Sequence, residues 1–91
     1  MKFEWDEKKN RANKIKHGIS FQDAITVFDD EYAIVIYDDS HSIDDDRFII
    51  IGADMLFREI TVCHCYRDSD IIRIISARKA TATEISLYRR R

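Results

Sequence analysis

The stretch Ile71-Ile72-Arg73-Ile74-Ile75-Ser76-Ala77-Arg78-Lys79-Ala80-Thr81-Ala82-Thr83-Glu84 decides how this chain folds. Its first part is rich in β-branched side chains, which predicts a strand over Ile71–Ala77. Thr81 followed by Glu84 is a capping box, in which a hydroxyl and a carboxylate satisfy two open amides of a helix start. A helix over about Ala82–Arg90 follows, with Ile85, Leu87 and Tyr88 as its apolar residues. The same block carries Arg73, Arg78 and Lys79, so fold and candidate chemistry share one segment.

Upstream of it, Asp68-Ser69-Asp70 is a polar turn. Before the turn, Phe57–Arg67 and Arg47–Met55 read as two strands joined by a tight connection. Tyr32–Tyr37 is apolar on both faces and suits a central strand, and Asp38–Asp46 is an acidic loop. Further back, Ser20 and Asp23 resemble a capping box, and Phe21, Ala24, Ile25 and Phe28 recur at helical spacing. Gly18 stops a first helix over Glu7–His17, which Asp6 caps. That helix is very polar, with Ala12 and Ile15 its main apolar residues. Phe3-Glu4-Trp5 is a short strand or extended entry. The expected fold is therefore α+β: two N-terminal helices, a four-stranded mainly antiparallel sheet and a C-terminal helix, in a single domain over 1–91. A core this small is marginal alone, which favours a permanent partner.

Composition agrees with a folded chain, at 45% hydrophobic and 11% aromatic residues. The longest apolar runs, Tyr32–Tyr37 and Phe48–Ala53, are far short of the roughly 20 residues that span a bilayer, so no membrane association is expected. The N-terminus lacks a signal-peptide pattern. Cys63 and Cys65 are too close in sequence for an easy disulfide, which points to a reduced, cytoplasmic protein.

The formal charge of -2 conceals a bipolar chain. Residues 1–22 carry a net +3 and residues 67–91 a net +4, whereas residues 23–46 hold nine acidic side chains and no Lys or Arg. The basic ends suit a polyanion such as RNA. The acidic middle reads as a solvated loop, a loose divalent-ion site, or a docking surface for a basic partner. It fails the calcium-loop pattern, because counting from Asp38 puts Ile43 where Gly is needed and Ile49 where Glu is needed. Strand alternation sends His64 to the face opposite Cys63 and Cys65, so that triplet is a poor zinc site. No metal or cofactor is expected.

Metal-independent RNA cleavage needs a base for the 2′-hydroxyl, an acid for the leaving 5′-oxygen and cations for the phosphorane. The chain offers His17, Arg67, Arg73, Arg78 and Glu84 as catalytic candidates, and Lys14, Lys16, Lys79 and Tyr88 as RNA-binding ones. Tyr66 or Tyr88 can stack a base. Arg67 and Arg73 flank the polar turn and come close in an antiparallel hairpin, as if an anion lay between them. The alternative is that each arginine pairs with a carboxylate, such as Asp68, Asp70 or Glu84. Arg73 is the least exposed to that alternative, because its neighbours Ile72, Ile74 and Ile75 are apolar.

Several blocks closely resemble the BrnT toxin family. They are Phe3-Glu4-Trp5-Asp6-Glu7, Lys9-Asn10, Asn13, Lys16-His17-Gly18-Ile19-Ser20-Phe21, Val27-Phe28-Asp29 and the run Ile72–Thr81 with Glu84 and Tyr88. Arg47, Phe48, Ile51 and Gly52 fit the family's middle strand. The resemblance implies a RelE-like ribonuclease toxin of a type II toxin–antitoxin pair, acting on mRNA to stop translation. It implies a BrnA-type antitoxin with a ribbon-helix-helix part, a heterotetrameric complex with it, and contact with DNA only through it. By position it implies site roles for Arg67, Arg73 and Arg78, then Glu84 and the Lys16-His17 pair. Two departures stand out. Tyr66 occupies a position that is acidic in many relatives, and the following turn lacks a glycine. They keep a second reading open, a non-catalytic corepressor that strengthens an antitoxin's DNA binding. A third is a free-standing structural domain.

Overall fold

A computed structural model describes residues 1–41 and 45–90. The chain runs β1 (Lys2–Glu4), α1 (Glu7–His17), α2 (Phe21–Ala24) with a 3-10 extension over Ile25–Asp29, then β2 (Ile34–Tyr37), β3 (Phe48–Ala53), β4 (Glu59–Asp68), β5 (Ile71–Lys79) and α3 (Ala82–Arg90). Residues 42–44, within the acidic loop predicted over Asp38–Asp46, and Arg91 lie outside the described residues. No helix among the described residues is long and apolar enough to cross a membrane.

The fold is α+β, but among the described residues the sheet has five strands and is mixed, in the order β1-β5-β4-β3-β2. β2 to β5 form the expected antiparallel meander. The fifth strand is the Phe3-Glu4 entry, which pairs in parallel with β5 through Phe3–Ile72 and Glu4–Arg73. Local sequence marks a strand there and says nothing about its partner, because parallel pairing joins distant segments. Tyr32–Tyr37 does not form a central strand. β2 starts at Ile34 and lies at the sheet's other edge, with Val35 51% exposed.

The helix boundaries follow local chemistry. Asp6 accepts hydrogen bonds from the Lys8 and Lys9 amides, and Gly18 closes α1 at φ 72°, a left-handed cap that costs glycine little. α1 does not dock through Ile15, which is 88% exposed. It docks through two buried asparagines. Asn10 accepts from the Phe21 amide and donates to Glu7 and Gln22. Asn13 accepts from the Ala77 amide at 3.1 Å and donates to the Ala77 carbonyl at 2.9 Å. β1 pairs only with Ile71–Arg73, so the side chain of Asn13 takes the place of a neighbouring strand further along β5.

The second helix is a single α-turn that tightens. Ser20 caps it by accepting from the Asp23 amide, as the first half of a capping box requires. Asp23 does not complete the box; its carboxylate faces Arg58. The fully buried residues are Phe21, Ala24 and Val27, spaced by three as in a 3-10 turn, whereas Ile25 and Phe28 are partly buried. Gly52 lets this turn approach the sheet. A Cβ there would stand 2.8 Å from Ala33 Cβ and 2.9 Å from Asp30 Oδ2. The core joins Ile19, Phe21, Ala24 and Val27 to Ile50, Ile60, Val62, Ile72, Ile74 and Ala77 on one sheet face. His64 is fully buried on that face, among Phe28, Phe48 and Tyr66. Burial holds its pKa below the ordinary imidazole value.

Candidate active site

The opposite face of the sheet carries the polar chemistry. Arg73 and Arg78 are five residues apart, so strict alternation would place them on opposite faces. A β-bulge prevents this. Cys63 pairs with Ser76 but His64 pairs with Ile74, which leaves Ile75 as the extra residue. Arg73, Ser76 and Arg78 then share a face with Cys65, Cys63 and Thr61.

Arg78 sits at a cleft of about 250 Å³ lined by Asp38, Arg47, Ile49, Thr61, Cys63, Ile75, Ser76 and Arg78. The guanidinium is held end-on by Glu84, through both terminal nitrogens, with Nη1 to Oε1 at 2.7 Å and Nη2 to Oε2 at 2.9 Å. Glu84 is itself fixed. The Thr81 amide donates to it at 2.8 Å, completing the predicted capping box, and the Thr61 hydroxyl donates at 2.9 Å. The hydrogen bonds from Arg78, with smaller contributions from the Thr81 amide and the Thr61 hydroxyl, bring the Glu84 carboxyl down to about 2 against the cost of burial. Glu84 is therefore an anion at neutral pH, and it raises the pKa of Arg78 in return. It holds the Arg78 guanidinium through both oxygens. The alternative of a carboxylate partner thus holds for Arg78, and the partner is Glu84.

Four of the other predicted residues divide into two pairs. Lys16 and His17 border an adjoining cleft of about 230 Å³, where α1 passes over Ile75 and Ser76. Those two residues line both clefts, so the end of α1 and the Arg78 site form one track across β5. Arg67 and Arg73 stand apart. Both converge on Oε2 of Glu4, at 3.7 and 2.8 Å. The anion expected between them is thus supplied by the chain itself, from the edge strand. Arg73 is not spared a carboxylate partner by its apolar neighbours, because Glu4 reaches it from β1 and not from β5.

Lys14 is exposed on α1 and is not part of either cleft wall. Lys79 pairs with Ile60, one residue beyond Arg78, so its side chain lies on the other face. Tyr88 turns away from the cleft. Its hydroxyl donates to Asp30 Oδ2 at 2.6 Å and ties α3 to the loop before β2. Sequence reasoning left Arg47 and Asp38 out of the site. The Asp38 amide bonds to the Arg47 carbonyl at 2.8 Å, which pairs the two residues at the cleft wall. Arg47 alternates with Ile49 and Ile51, and that spacing was its available signal.

Cys63 reaches the cleft, and burial pushes its thiol up above the ordinary value. Both cysteines are free. Among the described residues no group of three or more His, Cys, Asp or Glu side chains is arranged to hold a metal ion.

These features define a small α+β protein with an open, arginine-bearing sheet face. Residues 5–84 match the model of a family described as the ribonuclease toxin BrnT of a type II toxin–antitoxin system. The chain belongs to that family. Its fold is similar to the crystal structure of the Brucella abortus ribonuclease toxin BrnT, with a TM-score of 0.70 and 30% identity over 89% of this chain and 97% of that one. No curated protein matches.

Proposed function

We propose that this chain is a metal-independent endoribonuclease that cleaves mRNA and stops translation in the cytoplasm, and that a BrnA-type antitoxin neutralises it in a heterotetrameric complex. The observation that carries the reading is Arg78, fixed end-on by Glu84 in the wall of a cleft it shares with Arg47. A guanidinium held before substrate arrives stabilises developing phosphorane charge without reorganising.

The reaction is an in-line attack of the 2′-oxygen on the adjacent phosphorus. The P–O5′ bond breaks, leaving a 2′,3′-cyclic phosphate and a 5′-hydroxyl. Arg78 and Arg47 bind the non-bridging oxygens. His17 takes the 2′ proton, and the leaving oxygen receives one from solvent. Lys16 holds the phosphate chain on the α1 side of the track.

Induced expression tests this. Growth should stop and mRNA should shorten, and Arg78→Ala should remove both effects while the antitoxin complex still forms. Purified protein should cleave RNA equally with and without a chelator. One observation favours a second reading. The acid nearest the cleft's arginine is fully engaged by hydrogen bonds. Normal growth with intact mRNA, from folded protein, would make the chain a non-catalytic corepressor that acts with its antitoxin on DNA.

A further inference from the structure

At the edge of the sheet far from β1, the meander ends in a strand with an open side. β2 has β3 on one side and no strand on the other among the described residues. The Asp38 amide bonds to Arg47, so by alternation Ile34 and Ile36 also turn their main-chain groups toward β3. Val35 and Tyr37 turn theirs outward, and their side chains are 51% and 46% exposed. Such an edge is a template for an added strand.

An aromatic row runs inward from it. The Tyr37 and Phe48 rings are 5.5 Å apart, and those of Phe48 and Tyr66 are 5.3 Å apart. Phe48 and Tyr66 line a cleft of about 490 Å³ together with Asp45 and Asp46. The Tyr37 hydroxyl donates to Asp46 at 3.1 Å. Ring faces and carboxylates in one cleft favour a cation, most of all a guanidinium. The wider segment has the same sign, since residues 23–46 hold nine acidic side chains and no Lys or Arg. A polyanion is repelled here and a basic chain is attracted.

We propose that the β2 edge and the adjoining Phe48–Tyr66 cleft dock an extended basic segment of a protein partner, which adds a strand beside β2 and places an arginine side chain between those rings and Asp45 and Asp46. The identity of the partner as the antitoxin rests on the toxin–antitoxin reading; the chemistry of the docked segment does not. The cleft of this surface shares no lining residue with the Arg78 cleft, and Phe48 and Tyr66 lie on the other face of the sheet.

The test uses the full chain and a fluorescent peptide of alternating arginine and valine, followed by anisotropy. The wild type should bind it, and a glutamate–valine peptide should not bind. D45N/D46N should weaken binding about tenfold, and Tyr66→Ala about fivefold. E31Q/D39N removes the same charge outside the cleft and should cost less than about threefold. A peptide N-methylated at alternate residues should bind about tenfold more weakly, because strand addition needs main-chain hydrogen bonds. The proposal is overturned if the peptide fails to bind at about 1 mM. It is also overturned if E31Q/D39N weakens binding as much as D45N/D46N. Sedimentation adds a further outcome: self-association abolished by D45N/D46N would assign the surface to a second copy of the chain and overturn it as well. Growth arrest is scored separately. Arrest without peptide binding overturns this proposal alone, and peptide binding without arrest overturns the ribonuclease reading alone.

Discussion

The two ends of β5 hold the same kind of pair, an arginine against a glutamate, in different settings. Glu84 is engaged by Arg78 through both oxygens and by Thr61 and Thr81, and its side chain is only 13% exposed. Glu4 offers one oxygen to both Arg73 and Arg67, and its side chain is 38% exposed. The first carboxylate is immobilised and fixes a guanidinium in a defined plane. The second is a solvated pair whose main effect is to tie the edge strand to its neighbour. The difference lies in the other partners of each glutamate, and these come from the fold.

That contrast can be broken most directly at the arginines. Arg78→Ala should lower RNA cleavage by about 10²–10³-fold. Arg73→Ala and Arg67→Ala should lower it by less than about tenfold, read as phosphate-contact losses. A loss at Arg73 equal to that at Arg78 would place the reaction at the Glu4 end. Next in size is Asn13→Ala, between the two ends. It leaves the Ala77 amide and carbonyl without their partner and should cost about 2–3 kcal/mol in urea unfolding.

The pH dependence of stability sharpens the comparison. Glu84 has its folded pKa lowered to about 2 from 4.5. Its contribution is therefore complete above about pH 4.5 and is lost as pH falls toward 2. About 1–2 kcal/mol should disappear over that range, less than full conversion of the shift, because the Arg78 side chain is 40% exposed and solvent screens the pair. Glu84→Gln should flatten the stability profile there. The smallest effect belongs to Glu4→Gln, expected to cost about 0.5 kcal/mol or less and to fade with added salt.

Much of the fold was legible. Asp6, Gly18 and the Thr81–Glu84 box set the ends of α1 and the start of α3, because caps act within one turn of chain. The meander was legible from its turns and β-branched runs. What escaped were pairings across long separations. They include β1 with β5, the edge position of β2, and the asparagine docking of α1. The 3-10 tightening of Ile25–Asp29 also escaped, since the spacing of apolar residues there fits two kinds of turn. At the site, Arg78 and Glu84 were visible as candidates, but their roles were not. Glu84 was read as a possible catalyst, and the fold engages both of its oxygens with Arg78, Thr61 and Thr81. Tyr88 was read as an RNA contact, and its hydroxyl donates to Asp30.

The sequence by itself determined the class of fold, the bipolar charge and the family, because each is written in local pattern or in residue order. Tertiary structure alone decided what each arginine faces. The bulge at Ile75 places Arg73 and Arg78 on one face. β1 then brings Glu4 to Arg73, while the turn into α3 and the Thr61 hydroxyl lock Glu84 onto Arg78. A guanidinium's role depends on what holds its counter-ion, and those groups converge from three strands and a helix cap that only the folded chain brings together.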